Sequence, residues 1–152
     1  MKVILGCDHG GLAVKAAISE FLRRRGDQVE DLGTNDENST DYPDYAVPAA
    51  QAVVEGRADM AILVCKTGIG MSIAANRYPG IRASVVSDHY SAVMTRCHND
   101  SNVLCLGGRV IGEFMAIDIL KGWLDAEYMG GRHDISLGLI RDIEKEIKGE
   151  TS

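Results

Sequence analysis

The segment from Met60 to Arg77 constrains the fold more than any other part of the chain. It begins with an apolar run, Met60–Val64, which has the length of a buried strand and stops at Cys65. A short loop with two glycines, Gly68 and Gly70, follows, and small and apolar residues then continue as a predicted helix. This order brings backbone N–H groups together at the start of a helix, where an anion can bind. The segment therefore predicts an open α/β sheet with a ligand site at the carboxyl end of this strand.

Strands and helices alternate along the whole chain. Short apolar runs predict five strands, at Val3–Cys7, Gln28–Leu32, Met60–Val64, Ile81–Val86 and Val103–Leu106. Helical patterns follow each of them: Leu12 to the stop at Gly26, Tyr45–Glu55, the residues after Gly70, Asp88–Cys97, Gly112–Leu124, and about Ile135 to Lys148. Such alternation predicts a parallel sheet with helices on both faces, in one doubly wound domain that spans residues 1–152.

The composition argues against several classes of function. The net charge is −6, and the largest basic cluster, Arg23–Arg25, falls at the predicted end of a helix, so no nucleic-acid partner is expected. No apolar run approaches the roughly 20 residues that span a membrane, and the chain starts with a strand rather than a signal peptide. The cysteines, at positions 7, 65, 97 and 105, lack CxxC spacing and are typical of reduced thiols. These features predict a cytoplasmic protein without a membrane partner.

Polar residues with catalytic potential follow several predicted strands. If the strands are parallel, their carboxyl ends gather Asp8 with His9, the segment Cys65–Gly70, Ser87 with Asp88, and Arg109. A thiolate is an effective base or nucleophile, and a helix start together with Lys66 stabilises its negative charge. Histidine transfers protons near neutral pH, whereas arginine and backbone amides bind phosphate or a developing oxyanion. The set suits acid–base chemistry on a substrate that carries or develops negative charge.

Other candidate residues are not placed at that edge by topology. His98 and Asn99 interrupt the chain just before the fifth strand, whereas Arg132 and His133 must fold back or come from a second subunit. Tyr42 lies in a long polar loop between residues 33 and 45, where it is either a ligand contact or a rim residue packed on the next helix.

Three further interpretations remain open. Cys65 alone also fits a small core residue, as the other cysteines do. Gly68 and Gly70 after a strand, with Asp88 twenty residues beyond Gly68, form a partial dinucleotide-binding fingerprint, although Ile73 occupies the third position. A zinc site is also conceivable, without the usual ligand spacing, from Cys7, His9, Cys97 and His98.

Six separated motifs resemble those of ribose-5-phosphate isomerase type B, a family that also takes in allose-6-phosphate and galactose-6-phosphate isomerases. They are Gly6–Gly10, Asp41–Pro43, Cys65–Asn76, Gly80–Ala83, His98–Leu104 and Gly130–His133. The resemblance extends from Val3 to the final helix. It implies a three-layer α/β/α Rossmann-like domain with a five-stranded parallel sheet. It also implies a homodimer, sometimes a tetramer, with active sites at the subunit interface, and no metal or organic cofactor.

The resemblance also implies roles for the candidate residues. Cys65 matches the base that moves a proton between C1 and C2 of the sugar through a cis-enediolate, and His98 matches the histidine that helps to open the ring. The segment from Thr67 to Gly70, which includes Gly68, matches the loop whose amides stabilise the enediolate oxygen. Contacts with sugar hydroxyls are implied for Asp8, Tyr42 and Asn99, and contacts with phosphate for His9, Arg109, Arg132 and His133.

The implied reaction is the aldose–ketose isomerisation of ribose 5-phosphate to ribulose 5-phosphate, a step of the pentose phosphate pathway. Two departures from the family pattern keep other substrates open. Lys66 stands where the family usually has glycine, and Ser136 stands where many members have a second arginine, four residues after Arg132. The alternatives are another sugar phosphate, a non-phosphorylated sugar derivative, or an inactive binding partner, against which the presence of both Cys65 and His98 argues.

Overall fold

The apolar runs that predicted strands form one parallel sheet. Its five strands are β1 (Lys2–Cys7), β2 (Gln28–Asp31), β3 (Met60–Cys65), β4 (Ala83–Val85) and β5 (Val103–Gly107), in the spatial order β2-β1-β3-β5-β4. In this computed structural model, which describes residues 1–150, the three central strands are buried almost throughout. Continuous apolar runs are what a strand needs when both faces of its sheet are covered.

Two layers of helices cover the sheet. The helices are α1 (Leu12–Arg25), α2 (Pro43–Val54), α3 (Ile69–Ala75), α4 (His89–Asn99), α5 (Glu113–Asp125) and α6 (His133–Ile147). Large side chains such as Ile18 and Trp123 pack α1 and α5 against one face, together with α4. The opposite face is covered by α3 and by α2, whose buried alanines allow a close approach to the sheet. The predicted three-layer α/β/α architecture is confirmed.

Three predicted boundaries were wrong near the amino edge of the sheet. β4 begins at Ala83 rather than Ile81, because the N–H of Ile81 closes a turn onto the carbonyl of Tyr78 (3.0 Å). α4 continues through His98 to Asn99 and ends at Asp100, which has a left-handed φ of 46°. α6 begins at His133, two residues earlier than expected. The catalytic candidate His98 therefore belongs to the last turn of a helix and not to a loop.

The final helix, α6, contributes little to the core of its own chain. Of its 15 residues only Leu137 is buried. Five large apolar side chains are exposed instead: Ile135, Leu139, Ile140, Ile143 and Ile147. Four of them recur every fourth residue and so form one stripe along the helix. Within residues 1–150, no helix is both long enough and apolar enough to cross a membrane.

Candidate active site

The candidate site lies at the carboxyl ends of β1 and β3. The chain leaves β1 for β2 on one side and returns to β3 on the other side, which makes this point the topological switch of the sheet. A cavity of about 450 Å³ opens there, lined by Asp8, His9, Ser39, Thr40, Asp41, Tyr42, Cys65, Lys66, Thr67 and Gly70. Seven of these are predicted site residues, and the volume falls in the usual range of small-molecule sites. Two other depressions, along α1, contain neither thiol nor imidazole.

Cys65 ends β3 and is only 5% exposed. The N–H of Gly68 donates to its Sγ at 3.1 Å, so the sulfur has a backbone donor beside it. Gly68 has a φ of 80°, and a Cβ at this position would lie 2.9 Å from the backbone carbon of Leu106. Only glycine fits both constraints, so this residue fixes the position of an N–H donor next to the thiol.

The loop after Gly68 also leaves backbone donors free. The N–H of Ile69 donates to Oγ1 of Thr67 (3.3 Å), and the first backbone bond of α3 runs from the N–H of Ser72 to the carbonyl of Gly68 (3.2 Å). The N–H groups of Gly70 and Met71 precede that bond and have no acceptor within the helix. Of these two residues, Gly70 lines the cavity, where an oxyanion can approach this start of α3.

Three glycine-containing loops meet beside the cavity with their backbones in contact. A Cβ on Gly108 would clash with the carbonyl of Gly10, and a Cβ on Gly107 would lie 2.9 Å from the backbone of Thr67. The loops after β1, β3 and β5 are therefore packed too closely for any side chain at these positions. This packing holds the residues that follow the three strands in a fixed relation.

The same junction places Arg109 beside Lys66. The N–H of Arg109 donates to the carbonyl of Lys66 at 3.1 Å, and the N–H of Gly108 donates to the carbonyl of Cys65 at 2.7 Å. Arg109 does not line the cavity itself, and its side chain is exposed. Arg109 lies at the rim of the cavity, in the loop after β5 that these two backbone hydrogen bonds hold in place.

His9 is held by a residue that the sequence analysis did not identify. The N–H of Thr40 donates to Nδ1 of His9 at 3.3 Å, so this nitrogen acts as an acceptor and the proton lies on Nε2. Nε2 is then a donor for the cavity. Thr40 carries no sequence signal beyond its place in a polar loop, which explains why it was missed.

A buried lysine ties that polar loop to α1. Lys15 is 4% exposed, and its Nζ donates to Oδ1 of Asp31 (2.8 Å), the carbonyl of Thr34 (2.6 Å) and Oδ1 of Asn35 (3.1 Å). Three acceptors satisfy the ammonium group that burial would otherwise leave unsolvated. The bonds anchor the start of the loop that later carries Thr40 and Tyr42.

Asp8 and Tyr42 complete the walls of the cavity. Asp8 is buried, and its Oδ1 accepts from the N–H of Gly10 (2.8 Å), which leaves the second carboxylate oxygen for a ligand. Tyr42 caps the start of α2, and its ring lies against Gly70, where a Cβ would be 2.8 Å from ring carbons. Gly70 thus makes room for an aromatic wall.

The remaining predicted residues lie at the opposite edge of the sheet. α4 follows β4 and runs back beside it, so the end of the helix that carries His98 and Asn99 lies near the amino end of β5. His133 stacks on His98, with ring centroids 4.3 Å apart and an angle of 15° between the planes. Arg132 precedes His133 and is exposed. A single chain therefore divides the predicted site into two groups.

This second group is fixed by side chains. Asp100, just after α4, accepts from Nη2 of Arg82 (3.1 Å) and Nη1 of Arg96 (3.0 Å). The N–H of Met129 donates to the carbonyl of Cys97 (3.0 Å), which holds the segment before α6 against α4. These contacts bring His133 to His98.

The structure also explains the positions of the other cysteines and tests the zinc hypothesis. Burial raises the pKa of Cys7 to about 11 and also raises the pKa of Cys105, so both are core thiols. Cys97 was expected in the core but is only half-buried. The zinc hypothesis fails because its ligands lie at opposite edges of the sheet, and residues 1–150 contain no metal-binding cluster of His, Cys, Asp or Glu.

Asp88 does not serve the cavity. Its Oδ1 accepts from the N–H of Ser91 at 2.7 Å and so caps α4, and this bond lowers the pKa of the carboxyl group. The acid of the partial dinucleotide fingerprint is therefore a helix cap.

The fold and the cavity together define an enzyme-like site. A thiol, an imidazole and free backbone amides surround an opening at the switch point of a parallel sheet. That combination suits proton transfer on a small substrate with developing negative charge.

Comparisons with known proteins identify the class more closely. The pattern of the family described as Ribose/Galactose Isomerase matches residues 3–140. The chain is 49% identical over 144 residues to ribose-5-phosphate isomerase B of Escherichia coli (strain K12), which covers 95% of this chain and 97% of that protein. It is 46% identical over 147 residues to a putative sugar phosphate isomerase of Bacillus subtilis (strain 168), with 96% and 99% covered.

Solved structures agree. Ribose-5-phosphate isomerase B of Clostridium thermocellum superposes with a TM-score of 0.95 at 50% identity, covering 97% of this chain and 99% of that one. The Mycoplasma genitalium enzyme with bound ribulose-5-phosphate gives a TM-score of 0.91 at 38% identity, covering 95% and 97%. The chain belongs to the ribose/galactose isomerase family. It is an enzyme, a sugar-phosphate isomerase of the ribose-5-phosphate isomerase type, as the sequence motifs predicted.

Proposed function

We propose that this enzyme interconverts ribose 5-phosphate and ribulose 5-phosphate with Cys65 as the base. The observation that carries the proposal is the thiol at the cavity, which accepts an N–H from Gly68 beside free loop amides. The relative from Mycoplasma genitalium binds ribulose-5-phosphate in its solved structure, which supports a five-carbon substrate here.

The reaction needs two proton transfers and no redox cofactor. With the sugar ring open, the Cys65 thiolate removes the proton from C2, and the electron pair forms the C1–C2 double bond of an enediolate. The thiol then returns the proton to C1, while a proton passes from O2 to O1, so atoms and charge balance. The N–H groups of Gly70 and Met71 stabilise the negative oxygen of the intermediate. In this scheme Thr67 shapes the loop by accepting the N–H of Ile69.

We also propose that the working unit is a homodimer in which each site combines residues of two copies. Cys65 and His98 lie at opposite edges of one sheet, so a single chain cannot apply both to one sugar. A second copy, related by a two-fold axis, supplies the partner's His98 and Asn99, with the partner's Arg132 and His133 beside them. In this role His98 moves a proton between the ring oxygen and the anomeric hydroxyl when the ring opens.

The exposed apolar surface supports this assembly. α6 presents its stripe of isoleucines and leucine to solvent, and Ile69 and Ile73 of α3 are also about half exposed. Ile69 directly precedes Gly70 of the cavity, so the apolar surface borders the site. An isologous contact between these surfaces buries both and brings the amino end of one α6 towards the cavity of the other copy. Pairing of such dimers into tetramers is a separate outcome that light scattering resolves.

The proposed setting is the pentose phosphate pathway in the cytoplasm. All four cysteines are free thiols, although Cys7 and Cys105 are buried in the core. Free thiols at these positions support a reducing compartment.

Isomerisation of ribose 5-phosphate in EDTA is the experiment that tests the proposed function. Allose 6-phosphate, galactose 6-phosphate and unphosphorylated ribose are measured in parallel, because Lys66 and Ser136 favour the alternative of a different sugar. We expect the highest kcat/KM for ribose 5-phosphate and no loss of rate in EDTA. A higher kcat/KM on a six-carbon phosphate, or on ribose, would replace the proposed substrate. Loss of activity in EDTA would contradict the thiol-base mechanism.

A further inference from the structure

We propose that Lys66 binds the phosphate group of the substrate. The inference rests on the proposed function for its substrate. It assigns Lys66 to the phosphate end of the cavity and not to the thiol.

The direction of the side chain is the first argument. Successive side chains of a strand point to opposite faces, so Cys65 points into the α2–α3 layer and Lys66 points the other way. A Cβ on Gly10 would lie 2.5 Å from Cγ of Lys66, which shows that the lysine stem passes directly over Gly10. The loop after β1, which carries His9, thus supports the aliphatic stem of Lys66.

The neighbours of Lys66 are the second argument. Its carbonyl accepts the N–H of Arg109 (3.1 Å), and the loop that supports its stem contains His9. His9 presents Nε2–H because Thr40 donates to Nδ1. The loops after β1 and β3 therefore bring two donors, His9 and Lys66, to one corner of the cavity, and Arg109 lies at the rim beside Lys66. A phosphate dianion is the group that such a corner recognises.

The charge balance is the third argument. Within residues 1–150, the ammonium group of Lys66 has no carboxylate within salt-bridge distance, and the side chain is exposed. The acidic groups on the same cavity are Asp8, whose Oδ1 is already bonded to the N–H of Gly10, and Asp41. Lys66 is therefore a cation without an ion-pair partner among residues 1–150, at the corner of the cavity that His9 also lines.

The test compares Lys66→Met and Lys66→Gly with the control Lys121→Met, which lies on α5 outside this cavity. Binding of inorganic phosphate is measured by calorimetry, and KM and kcat are measured for ribose 5-phosphate and for unphosphorylated ribose. Loss of one charge-assisted hydrogen bond corresponds to about a tenfold to hundredfold weaker affinity. We expect the Lys66 variants to raise the phosphate Kd and the KM for ribose 5-phosphate by at least about tenfold. We expect kcat for ribose 5-phosphate and the activity on unphosphorylated ribose to fall by a smaller factor than the phosphate affinity.

A conservative variant separates this role from a merely structural one. Lys66→Arg, which keeps the positive charge at this position, should retain most of the phosphate affinity. An unchanged phosphate Kd in Lys66→Met would overturn the proposal. So would falls in kcat and in ribose activity as large as the loss of phosphate affinity, because Lys66 would then act on the reacting carbons. If the wild type failed to isomerise ribose 5-phosphate while Lys66→Met still weakened phosphate binding, the proposed substrate would fail and the role of Lys66 would stand.

Discussion

The two edges of the sheet carry the two parts of the candidate site, and they are built differently. At the carboxyl edge, glycines and backbone hydrogen bonds between three loops fix Cys65 and its neighbours. At the amino edge, ion pairs around Asp100 and a stack between His98 and His133 fix the second group. The group held by backbone contacts forms a cavity within one chain. The group held by side-chain contacts lies beside the exposed face of α6 and, in the proposed homodimer, serves the site of another copy.

The largest expected effect tests the chemistry of the carboxyl edge. Cys65→Ala removes the proposed base while the buried sheet around it remains, so we expect kcat for ribose 5-phosphate to fall by about a thousandfold. Binding of inorganic phosphate, measured by calorimetry, should stay within about threefold. Cys97→Ala, at the amino edge, is the matched control. Substantial turnover by Cys65→Ala would show that another group takes the proton.

The next effect tests whether the two edges belong to one site. Cys65→Ala and His98→Asn are each expected to be nearly inactive on the ring-closed substrate. Mixed under conditions that exchange subunits, they form hybrid dimers in which one of the two sites combines an intact Cys65 with the partner's intact His98. Random pairing should restore roughly a quarter of wild-type activity.

The mixing experiment can also contradict the proposed homodimer. If Cys65 and His98 of one chain served the same sugar, no hybrid would hold a complete site and mixing would restore no activity.

A substitution in α6 tests the proposed interface directly. Leu139→Asp places a charge in the apolar stripe of α6, so this variant should be a monomer by light scattering. Those monomers should lose isomerase activity and keep the phosphate contacts of the carboxyl edge.

The two edges also differ in how far the sequence predicts them. Apolar runs and glycines specify the carboxyl edge, because parallel strands bring their carboxyl ends together whatever the side chains are. The glycine loop that contains Gly68 was predicted from this pattern, and the structure adds the bond from the N–H of Gly68 to Cys65. Thr40 was missed because its contact with His9 depends on the path of a loop that no periodicity specifies.

The contacts at the amino edge are harder to predict from sequence patterns. Nothing in the local pattern shows that α4 continues to Asn99 instead of ending at Cys97, since the stop depends on the left-handed Asp100 and its distant partner Arg82. The stack of His133 on His98 joins residues 35 positions apart and is not encoded in any spacing. Topology did not place His98 and Asn99 at the carboxyl edge, and the structure shows that Arg132 and His133 do not fold back to that edge within one chain.

A smaller effect tests the backbone packing of the carboxyl edge. Gly70→Ala places a Cβ 2.8 Å from the ring of Tyr42, so the ring must move away from the sugar. We expect KM for ribose 5-phosphate to rise by about tenfold, with little change in melting temperature. In a Tyr42→Ala background the same substitution should cost much less, because the two residues interact directly. Gly112→Ala, which meets no atom within 4 Å, is the neutral control.

The smallest effect uses the four thiols as reporters of the two edges and the core. With its pKa raised to about 11, Cys7 carries roughly a thousandth of its thiol as thiolate at pH 8, and the pKa of Cys105 is raised as well. Iodoacetamide at pH 8 should therefore label Cys65 and Cys97 well before the two core thiols, and inorganic phosphate should slow labelling of Cys65 alone. Above pH 9 the unfolded chain loses the Cys7 proton that the folded chain keeps, so the free energy of unfolding should fall between pH 9 and about 11. Equal labelling rates of Cys7 and Cys65 in the folded protein would show that iodoacetamide reaches Cys65 no more readily than a core thiol. That result would contradict a formed cavity at the carboxyl edge.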